Sequence, residues 1–112
     1  MTDKAELSLL LDYYGVFLTE RKRELMRMSA DEDMSLSEIA ELVGVSRQSV
    51  RDSINKGAEE LLRYERQLGV IRRDRQLKSA ERALTCALES SDERELREGA
   101  ESALGLLRSI IG

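Results

Sequence analysis

Residues 34–54 decide the fold, and they read MSLSEIAELVGVSRQSVRDSI. Ser35 and Glu38 have the spacing of a capping box, in which each side chain accepts a hydrogen bond from the other residue's backbone amide. A short helix is therefore predicted to begin at Leu36. Gly44 follows about two helical turns later, and glycine is the residue that most readily adopts the left-handed conformation of a sharp turn.

A second helix is predicted directly after this turn, because Ser46 can cap a helix that begins at Arg47. The apolar positions that are predicted to pack together are Ile39, Leu42 and Val43 in the first helix and Val50, Ile54 and Ala58 in the second. A short helix, a glycine turn and a longer helix in this order form a helix-turn-helix motif.

Helix patterns also occupy the rest of the chain, which contains no Pro and has only 4% aromatic residues. They predict a helix over residues 4–14 that Gly15 ends in the left-handed conformation. Thr19 is predicted to cap the next helix, with Leu25 and Met28 on its inner face. The fold class that we predict is all-α, and its first part is a trihelical helix-turn-helix core.

Two further helices, over about residues 70–88 and 92–110, are predicted after Gly69, where the phase of the apolar pattern slips by two residues. Ser90 and Glu93 have capping-box spacing at the start of the second of these helices. The short connection makes the pair an antiparallel hairpin. The predicted contact positions have coiled-coil spacing, and they are Leu77, Ala80, Leu84 and Ala87 in one helix and Leu96, Ala100, Ala103, Leu107 and Ile110 in the other.

We therefore expect two parts, a helix-turn-helix domain over residues 1–69 and a helical hairpin over residues 70–112. The last helix is apolar over a wider arc than one partner helix covers. This surplus predicts a second contact, either with the body of the same chain or with a second subunit. A homodimer is the alternative that we prefer, because paired subunits would double a weak nucleic-acid contact.

The composition argues against an enzyme. The chain has no His, the commonest general base, and one Cys, which excludes a thiolate metal cluster. It contains no phosphate loop, dinucleotide fingerprint or nucleophile motif. We expect no catalytic residue, no metal and no cofactor. The single Cys, an N-terminus unlike a signal peptide and the lack of an apolar run of membrane-spanning length predict a cytoplasmic protein with no membrane partner.

Charge is distributed unevenly along the chain. The net charge is −4, but residues 1–46 carry −5, residues 47–82 carry +4 and residues 83–112 carry −3. The basic block begins at Arg47, and in helix-turn-helix proteins the first turns of the second helix enter the major groove of DNA. The residues that we expect to bind nucleic acid are Ser46, Arg47, Gln48, Ser49, Arg51, Asn55 and Lys56.

The chemistry of these side chains suits base and phosphate recognition. Arg can donate to O6 and N7 of guanine, and Gln pairs with N6 and N7 of adenine. Asp52 opposes binding because a carboxylate repels phosphate, so it must accept from a cytosine amine, orient an arginine or face elsewhere. We expect weak binding that depends strongly on salt. The same motif also serves as a protein-interaction scaffold without a nucleic-acid role.

Four segments resemble the YlxM-type helix-turn-helix family. They are LDYYG at residues 11–15, LTERKRE at 18–24, the motif at 36–51 and YERQLG at 64–69. The motif by itself is also similar to region 4 of bacterial sigma factors, which reads promoter DNA. The resemblance implies a small bacterial cytosolic protein with no enzymatic activity and a link to the signal recognition particle pathway.

Three functions remain open at this point. We favour a regulatory protein that binds DNA. The alternatives are an accessory protein that binds the RNA or the GTPase of the signal recognition particle, and a helical scaffold that binds only proteins.

Overall fold

The structure is a computed structural model that describes residues 3–112. Within these residues the chain forms six α-helices, one short 3₁₀ helix (Gly15–Phe17) and no strand, so the predicted all-α fold class is confirmed. None of the six helices combines the length and the apolar character that crossing a membrane requires. The helices are α1 (Lys4–Tyr14), α2 (Glu20–Ala30), α3 (Leu36–Val43), α4 (Arg47–Leu68), α5 (Val70–Glu89) and α6 (Glu93–Ile111).

Local side-chain caps set several helix ends, as predicted. The capping box at the start of α3 is complete, with both Ser35–Glu38 hydrogen bonds 3.1 Å long. Gly44 ends α3 in the left-handed conformation with φ at 74°, and Gly69 separates α4 from α5 with φ at 63°. These caps and turns give partners to backbone groups that a helix end leaves unpaired.

Gly15 ends α1, but the predicted left-handed conformation is wrong. Its φ and ψ are −56° and −29°, which is right-handed, and the chain tightens into the 3₁₀ helix. That turn closes with a hydrogen bond from the Leu18 amide to the Gly15 carbonyl at 3.1 Å. Because a 3₁₀ turn keeps nearly helical dihedral angles, it needs no left-handed residue.

The chain divides into two compact units, one ending at Leu68 and the other spanning Gly69–Gly112. In the first unit α1, α2 and α3 pack on α4, and in the second α5 packs on α6. The second contact of the hairpin, either with the body of the same chain or with a second subunit, stays a prediction.

The crossing of α3 and α4 centres on Ile39 and Val50, which are both fully buried. Burying an aliphatic side chain of this size stabilises the fold by about 1.5–3 kcal/mol. The partly buried side chains around this core are Met28, Met34, Leu36, Val43, Val45 and Ile54. Leu42 was predicted to face inward, but it is 64% exposed. It lies about 100° around α3 from Val43, and the two-turn helix buries only the face that α4 crosses.

Helix α2 meets α4 at Met26 and Gly57. Met26 is fully buried, and a Cβ atom at position 57 would overlap its sulfur. The sequence pattern predicted Leu25 and Met28 on the inner face of α2, whereas Leu25 and Met26 are the buried pair and Met28 is partly buried. The inner face is wider because α2 contacts both α3 and α4.

Helix α1 is attached to the second half of α4 by a buried tyrosine. The Tyr14 hydroxyl donates to Oε1 of Glu65 at 2.5 Å, and the ring is 2% exposed. The Tyr64 ring lies between two aromatic neighbours, with its centroid 6.1 Å from that of Tyr14 and 5.3 Å from that of Phe17. This cluster holds α4 at the end opposite to the helix-turn-helix crossing.

The hairpin of α5 and α6 forms as predicted, and three of its predicted contact residues are buried while two of the predicted leucines are not. Ala80, Ala87 and Ala103 are buried, whereas Leu77 and Leu84 are 43% and 40% exposed. The prediction that these two leucines form the contact is therefore wrong. Small residues permit the closest approach of the two helix axes, so the alanine face forms the contact and the leucines lie beside it.

The start of α6 also differs from the prediction. Asp92 caps the helix, because its Oδ1 accepts a hydrogen bond from the Arg94 amide at 3.0 Å. Ser90 instead donates to Oε2 of Glu95 at 2.5 Å and accepts from the Asp92 amide at 3.1 Å. The predicted Ser90–Glu93 capping box is wrong, since Asp92 directly precedes the first helical residue and its carboxylate reaches the free amides.

Candidate nucleic-acid interface

The left-handed turn at Gly44 begins the three-residue connection, residues 44–46, that leads from α3 into α4. Oγ of Ser46 accepts a hydrogen bond from the Ser49 amide at 3.0 Å and so caps the start of α4, as predicted. This bond leaves the Ser46 hydroxyl hydrogen available for another acceptor.

One face of α4 is buried and the opposite face is exposed along its first three turns. Val50, Gly57 and Leu61 are buried. With about 100° between successive residues, the outward positions, all of them exposed, are Gln48, Asp52, Asn55 and Lys56. The other predicted site residues lie on the flanks and are also exposed, with Arg47 and Arg51 on one side and Ser49 on the other. Ser46 is exposed at the cap.

A groove on one flank of α4, which we call the polar groove, brings four predicted site residues together. Its volume is about 540 Å³, and it is lined by Lys22, Ser46, Gln48, Ser49, Asp52, Ser53 and Lys56. Lys22 belongs to α2 and was not predicted to lie at the site. Nζ of Lys22 is 3.7 Å from Oε2 of Glu60. Two lysines and three serine hydroxyls make this groove suitable for phosphate oxygens.

Arg51 and Asn55 line a different cavity of about 340 Å³, together with residues of α1, α2 and α3 such as Leu7, Ser29 and Leu36. The predicted residues therefore do not form a single patch, because the helix period places positions 51 and 55 away from the polar groove. A helix inserted into the major groove can use both flanks, since a backbone strand lies on each side of it.

The one acidic side chain in the polar groove has an unexpected partner. Nε2 of Gln48 donates a hydrogen bond to Oδ1 of Asp52 at 2.9 Å, one turn further along α4. None of the three predicted arrangements of Asp52 includes this bond. It fixes the Gln48 amide while leaving its carbonyl oxygen and second amide hydrogen for an external partner.

The acidic loop before the motif is partly neutralised by neighbouring groups. Oδ1 of Asp31 accepts from Oγ of Ser8 at 2.6 Å and Oδ2 accepts from Nη1 of Arg27 at 2.9 Å, and these contacts lower the pKa of Asp31. Lys4 pairs with Asp33 and lowers its pKa as well. The loop therefore repels phosphate less than its formal charge suggests. Across residues 3–112, no three acidic or Cys side chains are placed together to hold a metal ion.

These features define the class of protein. A capped short helix, a left-handed glycine turn and a long helix with an exposed N-terminal face form a helix-turn-helix unit. A family model described as "Putative helix-turn-helix protein, YlxM / p13 like" matches residues 1–98. The chain belongs to this family, which confirms the resemblance and extends it beyond residues 7–70.

Similar proteins are found in several bacteria. A UPF0122 protein of Desulforamulus reducens is 34% identical over 111 residues, which cover 99% of this chain and 95% of the relative. A UPF0122 protein of Clostridium botulinum is 42% identical over 73 residues, or 65% and 67% of the two chains. A UPF0122 protein of Symbiobacterium thermophilum is 46% identical over 71 residues, or 63% and 66%. The match to the first relative covers both compact units.

Proposed function

We propose that this protein is a non-enzymatic regulatory protein of the bacterial cytoplasm that binds DNA through the first turns of α4. The observation that carries the proposal is the exposed N-terminal half of α4, whose outward side chains are Gln48, Asp52, Asn55 and Lys56. These four side chains are exposed, although α4 itself is firmly anchored through fully buried Val50 and Leu61. Rigid placement of exposed polar side chains is what base reading requires.

In the proposed complex α4 lies in the major groove. Gln48 pairs with an adenine, and Arg47 reaches a guanine or a phosphate. Lys22 and Lys56 in the polar groove contact the phosphates of one strand, and Arg51 those of the other. Asp52 limits affinity for any sequence, so discrimination depends on the base contacts.

A second candidate function is binding of structured RNA, including the RNA of the signal recognition particle. The observation that favours it is the continuation of the basic block beyond α4. The exposed basic side chains of α5 are Arg72, Arg73, Arg75, Lys78 and Arg82. Side chains along a helix surface contact the phosphates of an RNA duplex without reading its bases.

One titration separates these functions. The protein is titrated against a DNA sequence selected from a random duplex pool, its scrambled counterpart, and the RNA and the GTPase of the signal recognition particle, at two salt concentrations. We expect preference for the selected duplex and weaker binding at higher salt. Tight RNA binding with equal, weak binding of both duplexes would favour the second candidate. Binding of the GTPase alone would support a scaffold.

Two variants locate the site. We expect Arg47→Ala and Gln48→Ala each to weaken binding of the selected duplex at least about tenfold, the value of one good base contact, with unchanged helicity. Arg94→Ala is the matched control, because it removes an exposed Arg from the other compact unit. Unchanged affinity in both site variants would mean that the motif does not read DNA.

A further inference from the structure

The hairpin leaves many of its large apolar side chains exposed. In α6 the last residue, Ile111, is 86% exposed, and in α5 Leu88 is 77% exposed. The exposed large apolar residues along the two helices are Val70, Leu77, Leu84 and Leu88 in α5 and Leu96, Leu104 and Ile111 in α6. Clusters of exposed apolar side chains on a small protein mark interaction surfaces.

These two rows of residues lie on the same side of the hairpin. Successive residues of an α-helix are about 100° apart around its axis. Leu84, four residues after buried Ala80, therefore lies about 40° around α5 from it, and Leu104 lies about 100° around α6 from buried Ala103. Both angles are measured in the sense in which residue numbers increase. Because α5 and α6 are antiparallel, increasing residue number turns clockwise around one helix axis and anticlockwise around the other when both are viewed from the same end. Both rows therefore turn toward one side, which we call the apolar face.

The hairpin also has charges of opposite sign at its two ends. The half nearest the α5–α6 connection, residues 80–102, carries seven acidic and three basic side chains. The other half, residues 69–79 and 103–112, carries one acidic and five basic side chains. The two ends thus have net charges of −4 and +4.

We propose that a second copy of this chain covers the apolar face in an antiparallel arrangement. A two-fold axis that runs across the helices places the acidic end of one hairpin over the basic end of its partner. A two-fold axis along the helices would bring like ends together. Both arrangements bury the same apolar face, so charge complementarity selects the first.

The proposed axis also sets the contacts at the centre. Leu77 and Leu84 lie on either side of the middle of α5, which spans Val70–Glu89. An axis through this middle brings Leu77 of one copy next to Leu84 of the other. The matching leucines of two copies, in contrast, are about 10 Å apart along the helix, which rises 1.5 Å per residue.

The oligomeric state of the full chain tests the proposal. We expect light scattering to give twice the 12.7 kDa mass of one chain, and we expect the dimer to dissociate more readily as salt rises from 0.05 to 0.5 M, because salt screens opposite charges. Leu84→Glu should yield a monomer with unchanged helicity. Ser102→Glu adds the same charge at an exposed position on the other side of α6 and should leave the dimer intact.

Cross-linking then tests the arrangement. With Cys86→Ser as the background, a chain carrying Leu77→Cys is mixed with one carrying Leu84→Cys and oxidised. A disulfide-linked heterodimer in preference to either homodimer supports the antiparallel register. A monomeric wild-type chain, a dimer that salt strengthens, or an equal effect of Leu84→Glu and Ser102→Glu would overturn the proposal. If Leu84→Glu does not fold, the cross-linking result decides.

Discussion

Gln48 and Asp52 are joined by a 2.9 Å hydrogen bond across one turn of α4, on the face that we propose to contact DNA. The amide that we expect to read a base is thus held by the carboxylate that we expect to repel the phosphates. The Asp52 side chain thus has two effects: it orients Gln48, and it repels the phosphate backbone of DNA. They can be separated by substitutions at position 52.

We expect Asp52→Asn to raise affinity for every duplex severalfold, because it removes a negative charge but keeps an oxygen that accepts from Gln48. Asp52→Ala should raise affinity similarly and reduce the preference for the selected sequence. Fluorescence anisotropy with selected and scrambled duplexes measures both effects. Glu93→Gln, which changes the net charge equally in the other unit, is the control. Weaker binding by Asp52→Asn would mean that the carboxylate itself accepts from a base.

Gly44 is required for its backbone conformation rather than for space. Its φ is 74°, and a Cβ atom there would meet nothing within 4 Å. We expect Gly44→Ala to lower the free energy of unfolding of the first unit by about 1 kcal/mol. Gly105→Ala is the matched control, because a Cβ atom at position 105 also meets nothing within 4 Å. Position 105 lies within α6, where Ala should stabilise the helix. Urea unfolding measures the change in the free energy of unfolding for both variants. A change of the same sign in both would contradict the explanation.

Gly99 is required for space. A Cβ atom there would lie 2.6 Å from Cβ of Ala87 and 3.1 Å from the carbonyl oxygen of Ala83. We expect Gly99→Ala to destabilise the hairpin by about 1–3 kcal/mol, the usual cost of overpacking, although Gly105→Ala in the same helix stabilises it. Thermal unfolding followed by circular dichroism compares the two. A stabilising Gly99→Ala would mean that α5 and α6 separate at little cost.

Acid should destabilise the first unit through carboxylates that have partners only when it is folded. Hydrogen bonds from the backbone amide and the side chain of Ser35 lower the pKa of Glu38. A group whose pKa is lower in the folded state stabilises the fold above its unfolded pKa, near 4.3 for Glu, and this contribution is lost as pH falls through the folded pKa.

Glu38→Gln tests this contribution, because Gln can still complete the capping box but does not titrate. We expect the urea midpoint of the variant to depend less on pH below 5 than that of the wild type. Glu41→Gln, at an exposed position of the same helix, should leave the dependence unchanged. Equal pH profiles for the wild type and Glu38→Gln would contradict the prediction.

Helix ends were the part of the fold that the sequence predicted best. The caps at Ser35 and Ser46 and the turn at Gly44 involve groups within four residues of each other, so their geometry is contained in the local sequence. The Ser90–Glu93 box failed although its spacing was correct, because the Ser90 amide donates to the Ala87 carbonyl at 3.2 Å and Asp92 caps α6 instead. Spacing identifies candidate caps, and competition between neighbours decides which one forms.

Burial was predicted less well, because it depends on which face another helix crosses. Leu42 and Leu77 have the spacing of inward residues, yet both are exposed. Met26 is buried because Gly57, 31 positions later in the chain, leaves room for it. An apolar pattern identifies the approximate face of a helix that packs. Small residues on the partner helix then decide which side chains of that face are buried.

The amino-acid sequence alone determined the all-α class, the helix-turn-helix motif and the basic block that begins at Arg47, because periodicity, capping and charge are local properties. Only the tertiary structure decided that Lys22 joins Lys56 in the polar groove, that Arg51 lies outside it, and that Leu77 and Leu84 lie beside the contact of α5 and α6. These features depend on the approach of helices distant in sequence, which close packing of side chains sets.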